Sequence, residues 1–414
     1  MKLQVAGGAS SYSRIQMTSG TALAKQIRDL VCLILPVATC MIVEPALWRL
    51  SAQSNPQNRP MCKVDVRSFG FKTSIGTKPL QHFIDFTDSE HIGVAWVSLD
   101  DPTTHKSGLF VPVPAHLNVL ILDAHTGKQE VMRNWAAPSI PVRFAGLGYG
   151  NSLTCTGNVV RLLSPSLGVE REETISGSKT CSSPQFSGVW GFSPSRKLFL
   201  VSTYSGPKQS QDALLGTGSF ALLAAWTEQF PIQAISDHWL AAYCGKQRGL
   251  CVRKADEPWQ PFQAALIATN DKSYPASAAF ADDETLVTTM GNSLQVATVD
   301  GAVIFRADLK KNERFTQIVN SRGGRRFAVI ESRFRGVTNE ALDMYAFLAT
   351  ERATVYSIPD RTAIYSVNLK GDSPWFPFIA HKNDIALSPD GSLLAVLSDG
   401  ILQIFRISTS DTTH

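Results

Sequence analysis

The chain has no G-x-S-x-G, no H-E-x-x-H and no glycine-rich phosphate loop, so the familiar signatures of hydrolases, zinc proteases and nucleotide-binding enzymes are all missing. Its seven cysteines include no C-x-x-C pair, and its eight histidines, at 82, 91, 105, 116, 125, 238, 381 and 414, form no pair at metal-ligand spacing. No metal and no other cofactor is therefore expected. Charge is scarce at 18% of residues and nearly balanced. Five of the 39 basic and two of the 35 acidic residues fall in the first 52 positions, which leaves 34 against 33 for the rest of the chain. A nucleic-acid partner normally needs a concentrated basic face, and none is present. What is abundant is apolar: 44% hydrophobic and 9% aromatic residues across 414 positions describe a folded chain with a sizeable core.

Long apolar runs are also rare. Residues 30–43, Leu-Val-Cys-Leu-Ile-Leu-Pro-Val-Ala-Thr-Cys-Met-Ile-Val, make an uncharged stretch that follows Lys25 and Arg28, the order of a secretory signal. As a helix this stretch would reach roughly 21 Å, short of the ~30 Å hydrocarbon core. An export signal is the reading, and an uncleaved membrane anchor that recruits residues 44–48 stays open. Leu50-Ser51-Ala52 is a poor cleavage site, and Val37-Ala38-Thr39-Cys40 is similar to a lipoprotein box except at Thr39. The chain then divides into a signal or anchor at 1–48, a polar linker with two prolines at 49–61, a folded domain at 62–408 and a short tail at 409–414. An exported, periplasmic or cell-surface protein meets oxidising conditions, which bears on the cysteines. Cys244 and Cys251 flank a Gly-bearing turn and can face each other across a hairpin. Cys155 and Cys181 lie about one hairpin apart and form a second candidate pair, with Cys62 left over. The alternative, all five reduced and buried, also stays open.

From residue 62 onward no amphipathic helical stretch competes with short apolar runs rich in Val, Ile, Leu and Phe, broken by Gly, Pro, Asp and Ser. That is an all-β pattern. The runs form units of four strands, best seen in residues 278–306, where an Asp282-Asp283 turn, then Gly291-Asn292, then Asp300-Gly301 separate four runs. Asp-Gly suits a tight hairpin because glycine takes positive φ without steric cost. The first turn recurs at Phe192-Ser-Pro-Ser195 and Leu387-Ser-Pro-Asp-Gly391, and the last at Asp123-Ala-His-Thr-Gly127, Ser164-Pro-Ser-Leu-Gly168 and Pro359-Asp-Arg-Thr362. Units fall at 82–135, 144–175, 186–234, 236–266, 278–309, 315–369 and 382–407, and the fourth reads one strand short. Adjacent acids such as Asp100-Asp101 and Asp282-Asp283 read as solvated turns. The segment Ser321-Arg-Gly-Gly-Arg-Arg-Phe327 reads as another first turn with a side role for anions, and Trp190, Trp226, Trp239, Trp259 and Trp375 read as packing between units.

On these turns, Leu122-Asp-Ala-His-Thr-Gly-Lys128 and Ser388-Pro-Asp-Gly391 above all, residues 62–408 resemble the WD-repeat-like and quinoprotein-like β-propellers. The resemblance implies a single all-β propeller, with seven blades as the reading and six or eight left open, although the Gly-His and Trp-Asp dipeptides of the strict WD repeat are absent. The last unit supplies three clear strands, so residues 64–71 are expected to pair with it and close the ring. Strands alternate direction within a blade, so the second-to-third connections and the links between blades emerge on one face. Three long insertions are read there, at 101–116, 205–219 and 335–350. Insertions gathered on one face mark a binding side, with His105, Lys106, Phe110, Tyr204, Lys208, Arg335, Asn339 and Glu340 as candidate contacts. Removing 206–218 is then expected to leave the fold intact. Without catalytic signatures the expected function is non-enzymatic binding of another protein or a small ligand. The alternative is a propeller enzyme, a lactonase-like hydrolase or a quinoprotein-like oxidoreductase, with its site at the central channel.

Overall fold

Seven four-position sheets are arranged as the blades of a β-propeller. The computed structural model describes residues 59–407 except 73, 76–77, 80, 100–114, 138–141, 157–158, 175–190, 207–208, 229–231, 244–248, 258–262, 269–276, 311, 336–346 and 370–382. The chain divides into two units, Met1–Gln57 and Asn58–His414, and every described residue lies in the second. The signal or anchor at 30–48 therefore lies outside the described residues.

Blade 1 runs His82–Phe86, His91–Leu99, Ala115–Asp123, Gln129–Ala137, and blade 2 runs Val142–Gly146, Ser152–Thr156, Val159–Leu163, Val169–Thr174. Blade 3 has Leu198–Gly206, Gln209–Gly216 and Leu222–Glu228, and among the described residues a bridge from Phe192 to Phe199 stands where its first strand belongs. Blade 4 runs Ile232–Ile235, Trp239–Tyr243, Gly249–Lys254, Gln263–Ala268; blade 5 runs Ser277–Phe280, Thr285–Met290, Ser293–Thr298, Val303–Asp308. Blade 6 runs Glu313–Asn320, Arg326–Arg335, Phe347–Ser357, Thr362–Leu369, and blade 7 has Asn383–Leu387, Leu393–Ser398 and Ile401–Arg406. All pairings are antiparallel and sequential within a blade. The middle strands are covered on both faces by neighbouring blades, which is why Thr285–Met290 and Ser293–Thr298 are buried at five of six positions and read as apolar runs rather than as alternation. The fourth strands are peripheral, and Val169–Thr174, with Glu170, Arg171, Glu172 and Glu173, is exposed along its whole length.

Packing follows the same geometry. Among the described residues the core falls into seven hydrophobic clusters, one for each junction between neighbouring blades, including the junction of blade 7 with blade 1. That last cluster is built around the closing strand. Cys62–Asp65 pairs with Ile401–Arg406 in the register Cys62↔Ile404, Lys63↔Gln403, Val64↔Leu402, Asp65↔Ile401, completing blade 7. The expected pairing of residues 64–71 is thus right in kind but shifted and shortened. After Asp65 the backbone turns into a 3-10 helix, Val66–Phe69, whose N-cap Asp65 accepts the Arg67 amide and whose exit is Gly70 at φ 88°. Val66 and Phe71 then enter the core, with Phe71 edge-on to Trp96 at 5.8 Å between ring centroids. Trp96, fully buried, was absent from the tryptophans assigned to blade packing; of those, Trp239 packs partly buried between blades 4 and 5.

Two further expectations are corrected. Blade 4 is complete, because Ile232–Ile235 is its first strand rather than the end of blade 3. Residues 205–219 are not an insertion: Leu198–Gly206 and Gln209–Gly216 pair through Tyr204↔Ser210 and Gly206↔Gln209, and residues 217–219 are the next turn. The polar run Ser205-Gly-Pro-Lys-Gln-Ser-Gln-Asp212 hid a hairpin that lengthens blade 3 at its second-to-third end, and buried Asp212 breaks the apolar pattern that would have announced a strand. Deleting 206–218 would remove Ala213, Leu214 and Leu215 from two inter-blade clusters and is expected to unfold the blade.

The closing strand also depends on blade 1. A Cβ placed on Gly127, at φ 72° in the turn Asp123–Gly127, would lie 2.5 Å from Val64 Cγ2 and 2.6 Å from Cys62 Sγ. Gly127→Val is expected to destabilise by about 2–4 kcal/mol, combining left-handed strain with displacement of the closing strand. Gly218→Ala, which meets nothing within 4 Å, is the control and should change stability by less than about 1 kcal/mol in the same urea titration.

Candidate functional site

First strands of neighbouring blades approach one another around the ring, so they wall the central channel. Each first strand runs from the face carrying the inter-blade links to the face carrying the first turns. The channel therefore has a link-side mouth and a turn-side mouth, and the two differ in chemistry.

The turn-side mouth is stitched. The turn at Ser388–Gly391 is closed by Gly391 N–H donating to Ser388 O, with Gly391 in the left-handed region at φ 74°. Ser321–Gly324 repeats this with Gly324 at φ 68°, and Ser193–Arg196 repeats it with an arginine, Arg196, at φ 61°. A non-glycine residue held there costs on the order of 1–2 kcal/mol. Arg196 offsets that cost by pairing with Asp85 of blade 1 at 3.2 Å and by lying over the Phe192 ring at 4.9 Å. Arg322, from the blade 6 turn, crosses the mouth and donates from Nη2 to the carbonyls of Phe86 (3.1 Å) and Gly146 (2.8 Å) in blades 1 and 2. Gly148, at φ 94°, is what makes room for it, since a Cβ there would sit 1.3 Å from Arg322 Nη1. Burial first, and the charge of Arg196 second, push the Arg322 guanidinium down to about 9, with Asp85 acting in the opposite direction.

The remaining first turns continue the lock from blade to blade. Gly150 N–H donates to Thr87 O, Ser195 Oγ to Asp237, Asn320 Nδ2 to Phe280 O, and Arg326 to Gly391 O at 2.8 Å. His238 of blade 4 meets Asp283 of blade 5 through a short ring contact and through its own amide at 3.0 Å. So Asp282 caps its own turn, accepting from Glu284 and Thr285, while its neighbour Asp283 reaches the next blade. The arginines of 321–327, given a side role for anions, spend Arg322 and Arg326 on backbone carbonyls instead.

The link-side mouth has different contacts among the described residues. Gln81 Oε1 accepts the Val142 amide at 2.9 Å, tying the entry of blade 1 to that of blade 2, and His82 of blade 1 lies 3.3 Å from Asp384 of blade 7. Next to Val142 is Arg143, whose guanidinium carbon sits 5.4 Å from the centre of the Phe83 ring. Phe144, on the other side of the same strand, packs between blades 1 and 2.

Of the predicted contacts, Tyr204 lies in the strand Leu198–Gly206, opposite Ser210, and Arg335 ends the strand Arg326–Arg335, opposite Phe347. Both strands end at second-to-third connections, so both positions belong to the link side. His105, Lys106, Phe110, Lys208, Asn339 and Glu340 lie outside the described residues. Cys155 and Cys251 are each disulfide-bonded, Cys62 is a free buried thiol, and Cys181 and Cys244 lie outside the described residues. Burial, reinforced by Asp123, pushes the Cys62 thiol up. Among the described residues no three His, Cys, Asp or Glu side chains gather as a metal site would require. Sequence reasoning missed Arg143 and Arg196, and it singled out Arg322 only within the 321–327 stretch, for anions rather than for carbonyls across the mouth; an arginine at the glycine position of a Ser-Pro-x-Gly turn was the available signal for Arg196. No known protein-family model matches the chain, and no curated protein is significantly similar to it.

Two outcomes follow from the stitched mouth. Arg322→Ala should lower stability by about 2 kcal/mol, because two charge-assisted bonds to partly buried carbonyls are lost while a desolvated charge is relieved. Asp283 holds the His238 imidazole above its ordinary value of 6.5, chiefly through the hydrogen bond. The folded state therefore binds the proton more tightly, so the pair stabilises fully below pH 6.5 and loses its contribution as pH rises through the raised value. Both groups are substantially exposed, so the effect on overall stability is small. An NMR titration of the His238 ring should report the raised value, and Asp283→Asn should return it to the ordinary one.

Proposed function

We propose that the protein is an exported β-propeller scaffold that binds another protein or a small ligand on its link-side face. The observation that carries this reading is Arg322, which crosses the opposite mouth to the carbonyls of Phe86 and Gly146 and so sets the two sides of the channel apart. Long second-to-third connections leave the same side in blades 1 and 6, between Leu99 and Ala115 and between Arg335 and Phe347, and blade 3 lengthens there as a hairpin. Insertions on one face of a repeat ring commonly serve recognition. The resemblance of the Ser388-Pro-Asp-Gly391 and Asp123–Gly127 turns to those of WD-repeat-like and quinoprotein-like propellers supports reading the chain within that broad group.

Export is supported by the basic-then-apolar order of residues 25–43 and by the disulfide-bonded state of Cys155 and Cys251, since such bonds persist in oxidising compartments. Protein isolated without reductant should resist alkylation at Cys155 and Cys251 until reduced, and should react at Cys62 only after unfolding. Alkylation of the first two in unreduced native protein would remove this support.

The face assignment is tested by placing a photo-crosslinking residue at exposed Arg333, near the second-to-third end of blade 6, or at Tyr149, 78% exposed on the turn side. A partner adduct is expected from position 333 and none from position 149. The reverse pattern would refute the assignment.

A further inference from the structure

Arg143 stands apart from the other channel arginines. Arg322 and Arg326 hold backbone carbonyls and Arg196 holds Asp85. Arg143 has no carboxylate partner among the described residues. Its Nη1 reaches only its own neighbour's carbonyl, Val142 O, at a long 3.4 Å, and its Nε is sealed from solvent with no protein acceptor. The only cause acting on its ionisation is burial, which pushes the guanidinium down to about 10.

Magnitudes decide whether this is a structural residue. Withdrawing a guanidinium from water without a counter-charge costs several kcal/mol even after relaxation. Stacking on Phe83 returns on the order of 0.5–2 kcal/mol. The balance is unfavourable, so Arg143 is a cost to folding. Its place supplies the reason for keeping it. It is the second residue of its strand, beside the link-side mouth, and its guanidinium carbon lies over the Phe83 ring. A planar fork held against an aromatic ring and lacking a carboxylate is suited to bidentate capture of one from outside.

We infer that Arg143 is the anchor of a ligand site at the link-side mouth of the channel, taking the carboxylate of a small organic acid in the plane of its guanidinium, over Phe83. This rests on the link side being the binding face and names the chemistry recognised there. The group proposed to take the ligand's charge is the Arg143 guanidinium. The nearby carboxylate, Asp384, faces His82.

The test is a thermal-shift titration of the full chain with sodium acetate, sodium phosphate and sodium chloride at matched ionic strength, on the wild type and on Arg143→Met. Without added anion, Arg143→Met is expected to melt at the same temperature or a few degrees higher, because it removes an uncompensated charge. Acetate is expected to raise the wild-type midpoint with a saturating dependence, as binding to the folded state requires, and to leave Arg143→Met unmoved. An Arg143→Lys variant keeps the charge but not the fork and should weaken the acetate effect at least tenfold in concentration. A lower midpoint for Arg143→Met without anion would show a structural stack and overturn the proposal. So would an equal acetate shift in both proteins, or no shift in either. A shift with phosphate alone would overturn the assignment to a carboxylate. No partner protein enters this experiment, so its failure leaves the face assignment to stand or fall on crosslinking.

Discussion

The pairing of Cys62–Asp65 with Ile401–Arg406 is the contact on which the rest of the molecule depends. Each blade is a sheet with two faces to bury, and a linear array of blades would leave its two terminal faces and one strand edge in water. The strand from the start of the domain completes blade 7, and the cluster behind it joins blades 7 and 1 through Val66, Phe71, Trp96, Leu397 and Ile404. One short strand thereby removes an edge and holds the junction that turns an array into a ring. Gly127, a residue of a different blade, is fitted against Cys62 and Val64, so the closure is a three-part contact rather than a single ladder.

Closing a ring of seven sheets creates a channel, and its wall is where the molecule becomes asymmetric. The first turns of blades 3, 6 and 7 are near-copies of one local structure, a Ser–x–x turn with a left-handed fourth residue, and all seven are short, so at equal intervals around a ring they meet their neighbours closely. Most of those meetings became hydrogen bonds between blades. Arg322 goes further and spans the mouth. The link-side ends of the same strands are joined by links and second-to-third connections that differ in length from blade to blade. Variation accumulates on one face and uniformity on the other, as expected when one face is fixed by packing and the other is free to be used.

The fold was legible because its signals are local. Asp123-Ala-His-Thr-Gly127, Ser164-Pro-Ser-Leu-Gly168 and Asp300-Gly301 are turns whose chemistry requires nothing from the rest of the chain, and the structure places a hairpin at each. The places where the reading failed are those where tertiary context decided. Polar residues 205–206 and 209–212 lie in strands because a neighbouring strand is present to pair with them, not because they favour strands. Residues 66–69 leave the sheet because Asp65 caps a 3-10 turn and Phe71 has a pocket beside Trp96, neither of which a period-two pattern can announce. The convergence of the channel arginines was hidden for a related reason. Arg143, Arg196 and Arg322 lie on three blades, and only closure of the ring brings them to a common axis.

Arg196 shows how far the two kinds of information are linked. In blade 7 the left-handed position of the first turn is Gly391, which takes that conformation without strain. In blade 3 the same position is an arginine, so the turn itself is weakened by an amount comparable to a good surface ion pair. The substitution is compensated only because blade 1 presents Asp85 within reach, and Asp85 in turn accepts the Gly146 amide of blade 2 at 3.1 Å. Among the described residues, blade 3 reaches its inner side through the Phe192–Phe199 bridge. Beside that bridge the strained arginine adds a side-chain tie to blade 1, and the repeat departs from its own consensus at the point where its neighbours need it to.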